Sequence, residues 1–237
     1  IISVDNLLRS WREFLRGKRK RKDVEQFSLH LTDEISALHS DLTNKTYRHG
    51  PYSAFKVNDP KPRDIHKASV RDRLLHHAIY RVLYPYFDRK FIYDSFSCRL
   101  GKGTHRAMNR FRSYAGIVSR NHTRTVWVLK CDIKKFFANI NHAVLTNILA
   151  KHLPDNDALR LLGEVINSFH SPSRPEAGLP LGNLTSQLLV NIYMNELDQY
   201  MKRELKAKYY VRYADDFIIL SHDRTYLLNL LLYMVVF

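Results

Sequence analysis

Apolar residues first recur at helical spacing in Val4, Leu7, Leu8, Trp11, Phe14 and Leu15, which predicts a helix over 4–14. A second stripe, Phe27, Leu31, Ile35, Leu38 and Leu42, predicts one helix from Val24 to Leu42. From Tyr47 to Asp64 the pattern breaks into Pro- and Gly-containing pieces, read as short strands and turns that include Phe55-Lys56-Val57 and the stretch from Lys61. Helical spacing returns over Val70–Tyr84. A turn-rich segment, Ser95–His105, then opens a helix from about Arg106 to Tyr114, with Thr104 placed to cap it. Val126–Ile133 is almost continuously apolar, the pattern of a buried central strand, and it holds one carboxylate near its end, Asp132. Helices follow over Asn141–Leu153 and about Asp155–Phe169. A glycine-bearing loop, Gly178–Gln187, leads into a long amphipathic helix ending near Lys206. Two β-favouring runs in Tyr210–Leu220 flank the pair Asp215-Asp216, which predicts a hairpin with both acids at its tip. A last helix starts near Thr225.

Charge narrows the function classes. The 237 residues carry a formal net charge of +15, with a pI near 9.8, so a polyanion is the expected partner and nucleic acid the first candidate. An anionic membrane surface ranks lower, because no isolated basic amphipathic helix is present. Arg16-Gly17-Lys18-Arg19-Lys20-Arg21-Lys22 places six cations in seven residues. Such a run is either a solvated face or a phosphate contact without sequence preference. Cys98 and Cys131 have no metal-ligand spacing and suggest no disulfide framework, which suits a reducing cytoplasm. The amino end lacks a signal-peptide layout, and the apolar stretch from Tyr226 is shorter than the roughly 20 residues a membrane span needs. A start at Ile and a stop inside an apolar run lead us to expect a fragment of a longer protein.

The candidate chemistry centres on carboxylates. Asp215 and Asp216 repel each other when both are ionised, a cost that a bound cation removes. Magnesium, which takes hard oxygen ligands, is the natural cation. A plain solvated turn is the alternative, since Asp is a common turn residue. An Asp buried at the end of a central strand, as expected of Asp132, is costly unless it is paired or metal-bound. Lys56, Lys61 and Arg63 could line a phosphate-binding face or keep an edge strand soluble. Gly182, without a Cβ, would let the backbone approach a ligand closely. The segment before Arg106 does not have the spacing of a nucleotide-binding P-loop.

Taken together, a strand ending in Asp132, a glycine loop, a long helix and a hairpin tipped by Asp215-Asp216 resemble, in that order, the palm of reverse transcriptases. Asp132–Phe137 resembles that family's first catalytic motif, Gly178–Gln187 its nucleotide-binding loop and Tyr213–Asp216 its YxDD signature. Lys61–Ile65 and Arg71-Asp72-Arg73 are similar to its fingers motifs. The resemblance implies an α+β right-hand fold of fingers and palm, with an antiparallel palm sheet backed by helices. It places a basic extension at 1–22, fingers at 23–93 and 141–183, and palm at 94–140 and 184–237, with the chain ending before a thumb.

The resemblance also implies an RNA-directed DNA polymerase using two Mg2+ ions, with Mn2+ as a substitute. The ions would be held by Asp132, the Ile133 carbonyl, Asp215 and Asp216. Lys56, Lys61, Arg63, Phe137, Leu181 and Gly182 would meet the deoxynucleotide, Phe137 as an aromatic gate against a 2′-hydroxyl. Arg16, Lys18, Arg19, Lys20, Arg21, Lys22, Arg71, Arg73, Arg99 and Lys102 would contact the RNA template and the DNA or RNA primer. Ser97–His105 and Leu181–Gln187 resemble the diversity-generating retroelement type, which also implies a basic accessory protein. Leu181 stands where many relatives have Gln, a loss of polar contact that would relax base checking. A group II intron-like or phage-defence reverse transcriptase is the neighbouring alternative, and a non-catalytic RNA-binding polymerase remnant the alternative of another class.

Overall fold

The computed structural model describes residues 1–58 and 62–236, and these form a mixed α+β fold. Lys61 lies outside the described residues. The chain divides into two compact units, each built from two stretches: Ile1–Phe87 with Phe137–Leu189, and Asp88–Phe136 with the stretch from Val190.

In the first unit the amino-terminal apolar stripe forms α1 (Val4–Phe14), capped by the Ser3 side chain. Leu7, Trp11 and Phe14 are buried, and the Trp11 ring packs against Phe27 at 5.1 Å. The single helix expected from Val24 to Leu42 is two: α2 (Lys22–Leu29) and α3 (Leu31–Thr43), broken at His30, whose φ of −115° and ψ of 25° leave the helical region. The apolar stripe continues across the break because Phe27 and Ile35 both reach the core, while Leu29 at the junction is exposed. β1 (Ser53–Asn58) and β2 (Pro62–Lys67) pair as an antiparallel hairpin, with Phe55 opposite Ile65 and Lys56 opposite Asp64. α4 (Val70–Asp88) runs four residues beyond the expected end, straight through Pro85. Buried Tyr84 and Phe87 offset the backbone bond that a helical proline forfeits.

In the second unit α5 (Thr104–Val118) begins one residue earlier than a Thr104 cap allows. Gly103, at φ 110°, is the cap, and Thr104 is the first helical residue. Further along the chain are β3 (Trp127–Cys131) and the short α6 (Phe136–Asn139), which the periodicity did not reveal. α7 (His142–Ala150) and α8 (Asn156–Asn167) belong to the first unit and are capped by the Asn141 and Asp155 side chains. α9 (Leu184–Gln199) widens at its end into one π turn over Tyr200–Glu204. The expected hairpin forms as β4 (Tyr210–Tyr213) and β5 (Asp216–Ser221), followed by α10 (Arg224–Val236).

The sheet order is β3-β5-β4, antiparallel throughout. Strand alternation sorts its faces. Tyr210, Phe217 and Ile219 pack with Met201, Leu227 and Leu230, whereas Val211 and Leu220 pack with Phe96, Tyr114 and Val118. β5, not β3, is therefore the central strand. Among the described residues β3 has β5 as its one strand neighbour, which leaves Trp127 41% and Val128 46% exposed. An apolar run alone cannot distinguish the two positions, and here it belongs to an edge.

Candidate active site

The acids are brought together by strand register. Cys131 pairs with Phe217, so one further step of that antiparallel register sets Asp132 level with Asp216. Tyr213 pairs with Asp216 across a two-residue loop, Ala214-Asp215. Residues more than eighty apart in sequence thus share one end of one sheet. Asp132 and Asp216 are exposed and Asp215 is half-buried. The burial expected to make Asp132 costly is absent, because β3 is an edge strand. Lys130 lies 3.7 Å from an Asp216 oxygen, with both side chains open to solvent.

The turn itself is strained. Ala214 has φ 57°, a left-handed conformation that costs a non-glycine residue about 1–2 kcal/mol, at the loop position where primed hairpin turns favour Gly or Asn. Its carbonyl accepts a bond of 2.9 Å from Arg212 Nη1. Arg212 is fully buried and forked onto Asp198, itself fully buried, through bonds of 2.8 and 2.7 Å. Neither residue was singled out from sequence. The available signal was a cation inside an otherwise β-favouring strand and a carboxylate on the inward face of α9, seven residues after Asn191.

Among the described residues no three His, Cys, Asp or Glu side chains are gathered into a group that could hold a metal ion. The donor set still suits magnesium, which commonly takes one or two carboxylates and completes its shell with water and substrate phosphates. The Ile133 carbonyl adjoins Asp132 in the chain. Between Asp132 and Phe137, Lys135 is also left-handed, at φ 51°.

The remaining candidates fall in two groups. In the first unit, Phe137 is half-buried in α6, and its carbonyl accepts from Leu179 N at 2.9 Å, tying the aromatic segment to the glycine loop. That loop is docked on β2: His66 N donates to Leu181 O at 3.0 Å, and Asn183 Nδ2 donates to His66 O at 2.8 Å. Gly182, at φ 99°, is required there, since an added Cβ would stand 2.7 Å from the Ile65 side chain. The close approach expected of Gly182 is therefore made to β2. Lys56 and Arg63 do not share a face, because Lys56 is opposite Asp64 and Arg63 opposite Val57 in an alternating hairpin. Arg63 is on the side of Phe55 and Ile65, which with Lys67, Lys18, Arg21, Arg73, Gly182 and Asn183 line a cavity of about 340 Å³.

The basic residues also divide. Arg16, Arg19, Lys20, Arg21 and Lys22 are exposed. Lys18 sits over the Phe14 ring and Arg71 is paired with Asp41. Arg73 bonds Asp23 at 2.6 Å, as Lys67 does at 2.7 Å. Burial, with Arg73 and Arg21 nearby, pushes the Lys18 ammonium below its ordinary pKa. In the second unit Lys102 donates to Tyr93 O at 2.8 Å and lies over the Tyr93 ring. Arg99, also in the second unit, is already engaged within the fold. Its guanidinium is consumed by Asp88 and by the carbonyls of Ile92 and Ser95, and its side chain is 6% exposed.

Residues 56–236 match the family model described as reverse transcriptase (RNA-dependent DNA polymerase). Protein YkfC of Escherichia coli strain K12 is 27% identical over 187 residues, covering 75% of this chain and 48% of that protein. The group II intron-encoded protein LtrA of Lactococcus lactis subsp. cremoris is 24% identical over 184 residues, covering 75% of this chain and 29% of LtrA. The chain thus spans about half or less of the length of these curated relatives. Among solved structures, a chain of a partial Cas6-RT-Cas1–Cas2 complex superposes with a TM-score of 0.56 at 21% identity over 94% of this chain and 38% of that one. A telomerase from Candida tropicalis superposes at 0.53 with 13% identity over 81% of this chain and 49% of that one. With a family model matched across most of its length and the order of motifs intact, the chain belongs to the reverse transcriptase (RNA-dependent DNA polymerase) family.

Proposed function

We propose that this chain supplies the fingers and palm of an RNA-directed DNA polymerase, in which Asp132, Asp215 and Asp216 form the catalytic end of the palm sheet. The observation that carries this reading is the register of β3, β5 and β4, which sets the three acids at one sheet end. Bound magnesium ions would supply charge neutralisation for the attacking and leaving oxygens of an in-line displacement. Asp132 and the two hairpin acids would hold them, and the nucleotide phosphates would complete a ligand set that the protein leaves open. The residues of the chain do the positioning. The primer 3′-oxygen attacks the α-phosphorus of the incoming nucleotide, its proton passes to solvent, and pyrophosphate leaves. Phe137, beside the glycine loop, presents a ring that would clash with a ribose 2′-hydroxyl. In the first unit exposed Arg63, on the hairpin face that carries Phe55 and Ile65, is the cation that would meet phosphate, while the exposed residues Arg16, Arg19, Lys20, Arg21 and Lys22 contact the nucleic-acid backbone.

The experiment is primer extension on an RNA template by the intact protein. Asp215→Ala should abolish synthesis and leave RNA affinity within about twofold of wild type. An RNA-binding remnant would make no DNA even with Asp215 in place, and synthesis that persists without Asp215 would refute the assignment. On subgroup, the Ser97–His105 and Leu181–Gln187 segments favour a diversity-generating retroelement enzyme, whereas the likeness to LtrA favours a group II intron-like one. Errors concentrated at template adenines, measured with the cognate RNA and accessory protein, decide for the first. An even error spectrum decides for the second.

A further inference from the structure

Arg212 is a large side chain with no exposure, in the middle of β4 among residues that a stability-driven sequence would make apolar. A buried ion pair adds little to stability over a well-packed apolar pair of similar volume, so the fold alone does not explain Arg212 and Asp198. The geometry gives another reason. Nε and Nη2 are fixed on the Asp198 carboxylate at 2.8 and 2.7 Å, and Tyr210 OH donates to the same carboxylate at 2.7 Å. The Arg212 backbone is held from the other side by Asp94 O and Phe96 N. With Nε and Nη2 engaged on Asp198, Nη1 is the group turned toward other acceptors. That group reaches Asn191 Oδ1 at 3.2 Å and the carbonyl of left-handed Ala214 at 2.9 Å. Ala214 O belongs to the peptide whose N–H is that of Asp215.

We propose that Arg212, anchored by Asp198, is a positioning residue for the catalytic hairpin. It locks the Ala214–Asp215 peptide so that the Asp215 carboxylate stands in place to hold a cation before substrate arrives. This inference rests on the polymerase reading above and extends it to residues that touch neither metal nor nucleotide. A rigid turn loses less on binding than a mobile one, so the lock acts on metal affinity and synthesis and not on RNA affinity.

The test uses the intact protein with two readouts: Mn2+ affinity without nucleic acid, by electron paramagnetic resonance, and the Mg2+ concentration giving half-maximal DNA synthesis. Arg212→Lys keeps the charge beside Asp198, but its single ammonium cannot also reach Ala214. Both quantities should weaken about tenfold, RNA affinity should hold, and adding Ala214→Gly should recover part of the loss by giving the left-handed turn a residue suited to it. A purely structural role would not be repaired by a turn glycine. If Arg212→Lys fails to fold, Arg212→Gln with Asp198→Asn removes both buried charges and still falls short of Ala214. The same tenfold loss is expected of that pair. Wild-type metal dependence in either folded variant overturns the proposal. Absence of Mn2+ binding by the wild type, or its persistence in Asp215→Ala, overturns the polymerase reading with it.

Discussion

On the function proposed above, Phe137 is the residue that discriminates the sugar, and its setting bears on how it would do so. The ring belongs to the four-residue α6, whose chain is pinned to the glycine loop by Leu179 N on Phe137 O at 2.9 Å. The loop is pinned in turn to β2 through Leu181 and Asn183. A ring on a short, tied element cannot swing away from an extra hydroxyl. Phe137→Val should therefore raise ribonucleotide incorporation relative to deoxynucleotide by about 10- to 200-fold, the range that small steric differences in an apolar pocket command. Paired single-nucleotide kinetics measure it, and an unchanged ratio would remove Phe137 from the gate. At this scale the sequence motifs point to the acids and the aromatic, and no motif points to Arg212 and Asp198. Their partnership depends on a packed helix face against a strand, which no local spacing expresses.

At the scale of elements, α4 makes the clearest case. Its first turn is tied by Ser69 and Asp72, each bonded to the other, and Asp72 also accepts from Tyr47 OH at 2.7 Å. Behind it His76 is fully buried with its Nε2 3.2 Å from His49 Nε2. Burial, then neighbouring His49, pushes His76 down to about 3. Burial, then Lys18 and Arg73, pushes His77 down to about 4. Both histidines are thus neutral in the fold and regain ordinary values near 6.5 when it opens. Between those limits the unfolded state binds more protons, so stability is complete above pH 6.5 and falls as pH drops. Chemical denaturation should show a slope of up to about 1.4 kcal/mol per pH unit for each histidine below pH 6. Replacing both with Leu or Gln should flatten it, and an unchanged slope would place the titration elsewhere.

Element boundaries also show what could be read in advance. The extents of α1, the β4–β5 hairpin and the start of α10 follow from periodicity and turn chemistry, which are local. The break at His30, the run of α4 through Pro85 and the edge position of β3 do not. Each depends on what packs alongside: core contacts on both sides of His30, buried Phe87 beyond the proline, and β5 inserted between β3 and β4.

For the whole molecule, a net charge of +15 accounts for attraction to nucleic acid but not for chemistry, since a basic RNA-binding module would share it. What separates a polymerase from a binder is the meeting of Asp132 with the hairpin acids, made by one antiparallel register between stretches more than eighty residues apart. No helix among the described residues is long and apolar enough to cross a membrane. The most direct test of the central claim is single-turnover incorporation of one deoxynucleotide on an RNA-templated primer by the intact protein carrying Asp132→Asn. This change removes a charge from β3 and leaves the hairpin untouched. If β3 and the hairpin form one site, incorporation falls at least 1,000-fold (about 4 kcal/mol) while RNA affinity and melting temperature hold. Incorporation at the wild-type rate would contradict the account.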